Sequence, residues 1–341
     1  MDKPKFGIQW HITDKCDQRC KHCYLFRGKD KSLLQGFDFE KLLSMLENFI
    51  VSCNMMKVKP FLVITGGDPL LHRDICRLLD EINKHDISFS ILGNPFHLSY
   101  AVVAKLEKLG CVYYQMSLDG LENTHDLIRK SGSFKATLES LKYFEDSAIR
   151  AVIMATVSKA NIIEIPQLVD VAISHNADSF VFARYCPAPD EQDLMVSPED
   201  YRVFLDIMWG KYLKHKNSNT TFPLKDHLWK LYLYEKGLFE VASIENPENL
   251  IIDGCHCGIT HITVLADGTV YACRRCNSPV GKVPEQLLHE IFHSEEMNEY
   301  RKYEEFEACA KCELRNFCRG CPAVSKGLTG NFYAKDPQCW R

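Results

Sequence analysis

The sequence has 341 residues, 46% of them apolar, and a formal net charge of −4 from 41 basic and 45 acidic side chains. This length and apolar content are sufficient for one large and one small domain. The charges are dispersed without a basic stripe, which argues against a nucleic-acid partner, and no apolar run is long enough to cross a membrane. The N-terminus lacks the apolar segment of a signal peptide, so we expect a cytoplasmic protein whose 16 cysteines are metal ligands rather than disulfide partners.

Short apolar runs alternate with amphipathic helical stretches through the first two thirds of the chain. The pattern predicts strands at 7–13, 61–65, 87–92, 112–118, 151–157 and 179–184. It predicts helices at 39–53, 74–84, 100–108, 134–146, 163–175 and 198–214. Six strand–helix units indicate an α/β fold whose parallel sheet curves into most of a barrel.

The first predicted strand is followed by Cys16, Cys20 and Cys23, with the spacing C-x3-C-x2-C. Three thiolates can hold one metal centre but leave it one ligand short, whereas a structural zinc site takes four protein ligands. A four-iron cluster held by three cysteines keeps one iron free to bind another molecule. The triad therefore predicts a cluster that takes part in chemistry.

Two further polar motifs follow predicted strands. Gly66-Gly67-Asp68-Pro69 comes directly after the second strand, and Ser117-Leu118-Asp119-Gly120 ends the fourth. By composition alone the first motif is typical of an ordinary turn. However, the carboxyl ends of barrel strands share one face, where active sites lie. Three polar motifs at three strand ends therefore predict an active site there.

These motifs resemble the radical S-adenosylmethionine (radical SAM) family, and Ser117-Leu118-Asp119-Gly120 is followed by His125-Asp126-x2-Arg129 as in that family. The resemblance implies a partial (β/α)6 TIM-like barrel in which the cysteine triad holds a catalytic [4Fe-4S] cluster. It also implies that the open iron binds the amino and carboxylate groups of the cofactor. The implied cofactor-binding residues are His22, Gly66, Gly67, Asp68, Pro69, Ser117, Asp119 and Arg129, with Asp68 in place of the family's usual Glu.

Nine cysteines lie in the C-terminal part of the chain. Cysteine pairs with the spacing C-x2-C suit two zinc sites, but the complete pattern is similar to the SPASM extension of peptide-modifying radical enzymes. That resemblance implies an outer cluster held by Cys309, Cys312, Cys318 and Cys339. It implies an inner cluster held by Cys257, Cys273 and Cys321, with Cys255 or Cys276 as the fourth ligand. The predicted domains are a barrel at 1–214, a helical bridging segment at 215–252 and a small cysteine-rich iron–sulfur domain at 253–341.

Together the two resemblances imply a maturase of a ribosomally synthesised peptide, with three [4Fe-4S] clusters and S-adenosylmethionine as cofactors. The expected reaction uses a 5′-deoxyadenosyl radical to form a thioether crosslink, with a flavodoxin or ferredoxin-like protein as reductant. The first strand begins close to the N-terminus, so we expect the peptide's leader to be bound by a separate protein, by residues 215–252, or not at all.

Two alternatives stay open at this stage. An anaerobic sulfatase-maturating enzyme would carry Asp where this chain has Arg274, and an arginine cannot replace a carboxylate as a base. A non-catalytic zinc-binding module is the alternative of another class. Among the remaining residues, Cys186 is expected to pack in the core, and Arg274 and Arg275 are expected on the solvated surface.

Overall fold

The computed structural model describes residues 3–26, 36–241 and 250–341. In these ranges, nine strands form a single sheet in the order β6-β5-β4-β3-β2-β1-β7-β8-β9. The strands are β1 (Lys5–His11), β2 (Lys59–Thr65), β3 (Phe89–Leu92), β4 (Cys111–Ser117), β5 (Arg150–Val157), β6 (Ser179–Arg184), β7 (His261–Val264), β8 (Thr269–Tyr271) and β9 (Pro279–Lys282). Strands β1 to β6 are parallel, which confirms the predicted α/β partial barrel.

Helices connect the six parallel strands, and further helices follow β6. They are α1 (Phe39–Met55), α2 (Ile75–Lys84), α3 (Tyr100–Lys108), α4 (Glu122–Ile128), α5 (Ser133–Leu141), α6 (Ile165–Ser174), α7 (Pro198–Lys214), α8 (Trp229–Glu235), α9 (Leu288–Phe292), α10 (Glu295–Asn298) and α11 (Pro322–Thr329). Ser197 caps α7 by accepting a hydrogen bond from the Asp200 amide at 3.0 Å, and Pro198 occupies the first turn. Among the described residues, no helix is both long and apolar enough to cross a bilayer.

Strand β1 separates the hydrophobic core from the interior of the barrel. Ile8 and Trp10 are fully buried, and the Trp10 ring packs edge-on against Phe49 of α1 at 5.0 Å. Because side chains alternate along a strand, Gln9 and His11 face the opposite side, into the barrel. Both are also buried, so polar groups line the interior of the barrel beside the cysteine loop.

Sequence patterns did not predict strands in the C-terminal part, but β7 pairs in parallel with β1, with Gly7 opposite His261. Strand β8 then runs antiparallel to β7, and Gly268 provides the turn between them with φ +84°. Since β8 runs back toward the start of β1, Cys273 lies beside the amino-terminal half of that strand. The C-terminal part therefore extends the barrel sheet.

Arg184, at the end of β6, joins the barrel to the later segments. Its fully buried guanidinium forms ion pairs with Asp226 at 2.9 Å and Asp336 at 2.8 Å. Asp336 also accepts a hydrogen bond from the Cys321 amide at 2.7 Å, so this network positions a predicted cluster ligand. The domain boundaries at 214 and 252 stay predictions, and residues 242–249 lie outside the described ranges.

Candidate active site

Cys16, Cys20 and Cys23 lie together in the half-buried loop after β1. The side-chain Nδ2 of Asn94 lies 3.4 Å from the Cys16 sulfur, and Arg129 Nη1 lies 3.7 Å from the Cys20 sulfur. Burial raises the pKa of each of the three thiols, because it removes the thiolate from water. Metal coordination would offset this cost, and the three thiols fit the predicted three-cysteine cluster site.

The two glycines of the Gly66-Gly67-Asp68-Pro69 motif contact the chain just before this loop. A Cβ atom at Gly66 would clash with the Thr13 carbonyl oxygen, and one at Gly67 would clash with that of Lys15. The Gly67 amide donates to Thr13 O at 2.7 Å. The absence of side chains at these glycines therefore lets the turn approach the chain that leads into the cysteine loop, and the contact holds that loop in place.

Asp68 presents an unpaired carboxylate oxygen at this site. Its side chain is fully buried, Oδ1 accepts a hydrogen bond from the Leu70 amide at 3.1 Å, and Oδ2 has no hydrogen-bond partner. His97 Nε2 lies 3.9 Å from Oδ2. Burial raises the pKa of Asp68 to about 6. A buried acceptor without a donor fits the ammonium group of the predicted cofactor, and Pro69 starts the short helical turn that fixes Asp68.

Asp119, Arg129 and His22 form a buried network behind Cys20. Asp119 Oδ2 accepts a hydrogen bond from Arg129 Nε at 2.5 Å and lies 3.5 Å from His22 Nε2, while Oδ1 accepts one from the Thr156 amide at 2.7 Å. Burial opposes ionisation of Asp119, but Arg129 and His22 outweigh it and lower the pKa of this carboxyl group. Asp119 therefore contacts Arg129 and His22 through Oδ2, while Oδ1 is held by the backbone of β5. Ser117 ends β4 on the side opposite the core residue Met116.

A second group of thiols combines five cysteines of the C-terminal part with Cys186, which lies just after β6; we call it the inner thiol group. The thiols contact one another in pairs, and His227 hydrogen-bonds to two of them. The pairs are Cys255 with Cys257, Cys273 with Cys276, and Cys186 with Cys321. These three pairs include all five predicted candidates for the inner cluster.

Cys186 is the member of the inner thiol group that sequence analysis missed. It packs beside Cys321 and directly follows β6, at the point where Arg275 donates to the Arg184 carbonyl oxygen. The expected assignment to simple core packing is therefore incomplete. No spacing motif marks this cysteine, because its neighbours are distant in sequence.

The four predicted outer cysteines also come together, and we call them the outer thiol group. Cys309 interacts electrostatically with Cys339 and Cys312, and Cys318 interacts with Cys309 and Cys339. Buried Arg319 interacts with Cys318 and with Cys255, so it lies between the outer and inner groups. The arrangement fits the predicted four-cysteine site.

The space between the N-terminal triad and the inner thiol group is lined by Tyr24 and by basic side chains. Tyr24 keeps 37% of its surface exposed, but desolvation by the surrounding protein atoms raises its pKa to about 12, and this phenol interacts with Arg274, Cys23 and Cys273. Arg274 donates to Gln9 of β1, and Arg275 Nη1 lies 3.6 Å from the Cys321 sulfur. The expectation that both arginines lie on the solvated surface was wrong, since the turn that follows β8 directs them inward.

A separate groove of about 830 Å³ lies beside α6 and α7. Its lining is largely apolar and includes Ile163, Met195 and Ile207. None of the cysteines lines it, so the groove is not part of the candidate active site.

Two family models match this chain. The radical SAM superfamily matches residues 10–172, and the SPASM iron–sulfur cluster-binding domain matches residues 255–313. The matched regions contain the N-terminal triad and the Gly-Gly-Asp motif in the first case, and most of the inner thiol group in the second. They agree with the geometry described above.

Curated relatives and solved structures resemble nearly the whole chain. An AdoMet-dependent heme synthase from Methanosarcina barkeri is 27% identical, with 97% of this chain and 95% of that protein covered. The mycofactocin maturase MftC of Mycolicibacterium smegmatis is 25% identical, over 99% and 83%. Streptococcus suis SuiB bound to S-adenosylmethionine shares the fold, with a TM-score of 0.76, 19% identity and coverage of 99% and 78%. The chain therefore belongs to the radical SAM superfamily, carries a C-terminal SPASM domain and is a radical SAM enzyme.

Proposed function

We propose that this enzyme modifies a ribosomally synthesised peptide by joining a cysteine sulfur to a carbon atom of another residue. The observation that carries the proposal is that the N-terminal triad and the inner thiol group face one space, where Tyr24 interacts with Cys23 and Cys273. Two relatives support the maturase part of the proposal: MftC, and the sporulation killing factor maturation protein SkfB of Bacillus subtilis, which is 23% identical over 82% of this chain and 63% of its own length.

The residues present fit S-adenosylmethionine and three four-iron clusters. The triad would hold one cluster, and Asp68 would accept hydrogen bonds from the cofactor's ammonium group. The inner and outer thiol groups would hold the others. When bound, the cofactor supplies a 5′-deoxyadenosyl radical that removes a hydrogen atom from the substrate.

Formation of a thioether removes two electrons and two protons from the peptide. The deoxyadenosyl radical takes one electron and one proton together as a hydrogen atom. The thiol loses the second proton when the carbon–sulfur bond forms, and the second electron needs an acceptor. An iron–sulfur group held by the inner thiols would supply that acceptor next to the substrate space, and a flavodoxin or ferredoxin-like protein would supply the reducing electron that starts each turnover.

The test is an anaerobic reaction of the reconstituted enzyme with S-adenosylmethionine, a reductant and the peptides encoded beside its gene. We expect one peptide to lose two hydrogen atoms, and fragmentation should show a bond between a cysteine and another residue. An unchanged peptide mass, together with cofactor cleavage that the peptides do not stimulate, would contradict the proposal.

A tetrapyrrole is the second candidate substrate. This candidate is supported by the match to the heme synthase, which covers 97% of this chain and 95% of that protein. A related protein from the same organism, an Fe-coproporphyrin III synthase, is 26% identical over 98% of this chain. Incubation with iron coproporphyrin III under the same conditions distinguishes the candidates, because only a tetrapyrrole enzyme would change the mass of the porphyrin.

A further inference from the structure

Two basic side chains near the inner thiol group have no acidic partner. Arg274 donates to the amide oxygen of Gln9, and Lys225 lies 4.0 Å from the sulfur of Met154. Among the described residues, no carboxylate lies within the 4.0 Å of an ion pair from either cation. Arg184, by contrast, has two such partners, Asp226 and Asp336.

The neighbours of these two cations point into the barrel interior from different strands. Gln9, the partner of Arg274, points inward from β1. Met154, the neighbour of Lys225, points inward from β5, where it pairs with Ser117 of β4 on one side and Val181 of β6 on the other. Arg274 also interacts with Tyr24, which directly follows Cys23. The cations therefore border the space between the two thiol sites, where a substrate has to lie.

Lys225, Arg274 and Arg275 lie close enough at this point to influence one another. The Lys225 side chain is exposed to solvent, but desolvation by the surrounding protein atoms, together with Arg274 and Arg275, lowers its pKa to about 7. Burial, Arg274 and Lys225 likewise lower the pKa of His261 to about 4. Like charges held close together repel one another, and an anion bound between them would relieve that repulsion.

Arg275 has a different role from the other two cations. Its Nη1 lies 3.6 Å from the Cys321 sulfur, and it also interacts with Cys186 and Cys273. It therefore balances the charge of the inner thiol group. Lys225 is influenced by burial and by the two arginines only, not by any thiol. The charge of Lys225 is thus left for a ligand.

We propose that Arg274 and Lys225 form a subsite for a carboxylate group of the substrate. A guanidinium group binds a carboxylate through two parallel hydrogen bonds, and a lysine ammonium adds a third donor. This inference deepens the proposed function, because an acidic side chain or the C-terminus of a peptide supplies such a carboxylate. The propionate groups of a tetrapyrrole share the same chemistry, so the test includes both sources.

The test measures binding by the anaerobically reconstituted enzyme with S-adenosylmethionine bound. The peptide arm compares N-acetylglutamate α-amide with its neutral counterpart N-acetylglutamine α-amide by ligand-observed NMR. The porphyrin arm compares coproporphyrin III with its tetramethyl ester by absorbance. We expect the charged probe to bind about 10-fold more tightly than the neutral one, as for a charge-assisted hydrogen bond.

Arg274→Gln and Lys225→Met should each remove this preference for the charged probe. Lys230→Met is the matched control, because Lys230 is already paired with Asp253 at 2.7 Å, and it should leave the preference unchanged. Unaltered iron content and absorbance spectra in all three variants would show that the clusters are intact. Lys225 must be protonated to bind an anion, so the preference should also weaken in alkaline buffer.

The outcomes separate this inference from the proposed function. A charge preference in the peptide arm that depends on Arg274 supports both. A preference found in the porphyrin arm alone supports the carboxylate subsite and contradicts the peptide substrate. Equal binding of charged and neutral probes in both arms, or a preference that survives Arg274→Gln and Lys225→Met, would overturn the subsite.

Discussion

The N-terminal triad and the inner thiol group are built in opposite ways. The triad comes from one short loop, whereas the inner group combines Cys186 from the barrel with cysteines from three later segments. The carboxylates Asp68 and Asp119 support the first site, while Arg275 and His227 support the second. An acidic site suits an ammonium ligand and a basic site suits an anionic one, so the two ends of one interior are prepared for different ligands.

The largest expected effect comes from removing the N-terminal triad completely. Replacing Cys16, Cys20 and Cys23 together by Ala should abolish cofactor cleavage and remove about a third of roughly 12 iron atoms per chain. The inner and outer thiol groups share no residue with that loop and should keep their iron. Iron analysis and a cofactor-cleavage assay after anaerobic reconstitution measure both effects. A total near four iron atoms in the unaltered protein would be incompatible with three clusters.

Asp68 tests whether the acidic character of the first site serves the cofactor. Asp68→Asn keeps the acceptor for the Leu70 amide but removes the charge, so S-adenosylmethionine should bind about 10- to 150-fold more weakly, for a loss of about 1.5–3 kcal/mol. Asp74→Asn is the control, because Asp74 is outside the site and paired with Arg73 and Arg77. Equal affinity in the two variants would mean that Asp68 only shapes the turn.

The raised pKa of Asp68 also predicts a dependence on pH. Its pKa rises from 3.8 to about 6 in the folded protein, so the folded state holds this proton more tightly than the unfolded state. Ionisation of Asp68 therefore reduces stability as the pH rises from about 4 to 6. We expect the cofactor-free Asp68→Asn variant to melt at a higher temperature than the unaltered protein at pH 7, while cofactor affinity of the unaltered protein falls below about pH 6. A lower melting temperature for the variant would contradict this account.

Gly67 tests how strongly the N-terminal triad depends on the Gly66-Gly67 turn that packs against its loop. Gly67→Ala would push a methyl group into the Lys15 carbonyl oxygen, which should destabilise the fold by about 1–3 kcal/mol and deplete iron at the triad first. Gly210→Ala provides the contrast, because that glycine lies within α7 with open space around it and alanine should stabilise the helix by about 0.5–1 kcal/mol. Urea unfolding curves and iron analysis compare the two. Equal stabilities would show that the turn can move away from the loop.

The smallest expected effect is at Cys186. The inner group has more thiols than the four ligands of one cluster, so Cys186→Ala should retain its iron but change the electron paramagnetic resonance spectrum of the reduced protein. Cys53→Ala is the matched control, because Cys53 is buried in the core at α1. If both variants gave the spectrum of the unaltered protein, Cys186 would be a packing residue after all.

The sequence by itself determined the features that depend on neighbours along the chain. Three cysteines within one loop can meet whatever the rest of the fold does, so their spacing was sufficient to predict the triad. The apolar runs predicted all six parallel strands, because each buried strand needs such a run. The outer thiol group was predicted through the resemblance of the cysteine pattern to the SPASM extension, and the structure brings those four cysteines together.

Only the tertiary structure decided the features that depend on which strand lies beside which. The addition of β7 beside β1 brings Cys273, Arg274 and Arg275 to the barrel interior, and no local pattern encodes that pairing. Cys186 joins Cys321 for the same reason. Lys225 stays exposed, and its pKa is lowered by protein atoms and by two arginines that belong to segments distant in the sequence. Burial and charge pairing are properties of the assembled interior, so they appear only when the sheet has closed around it.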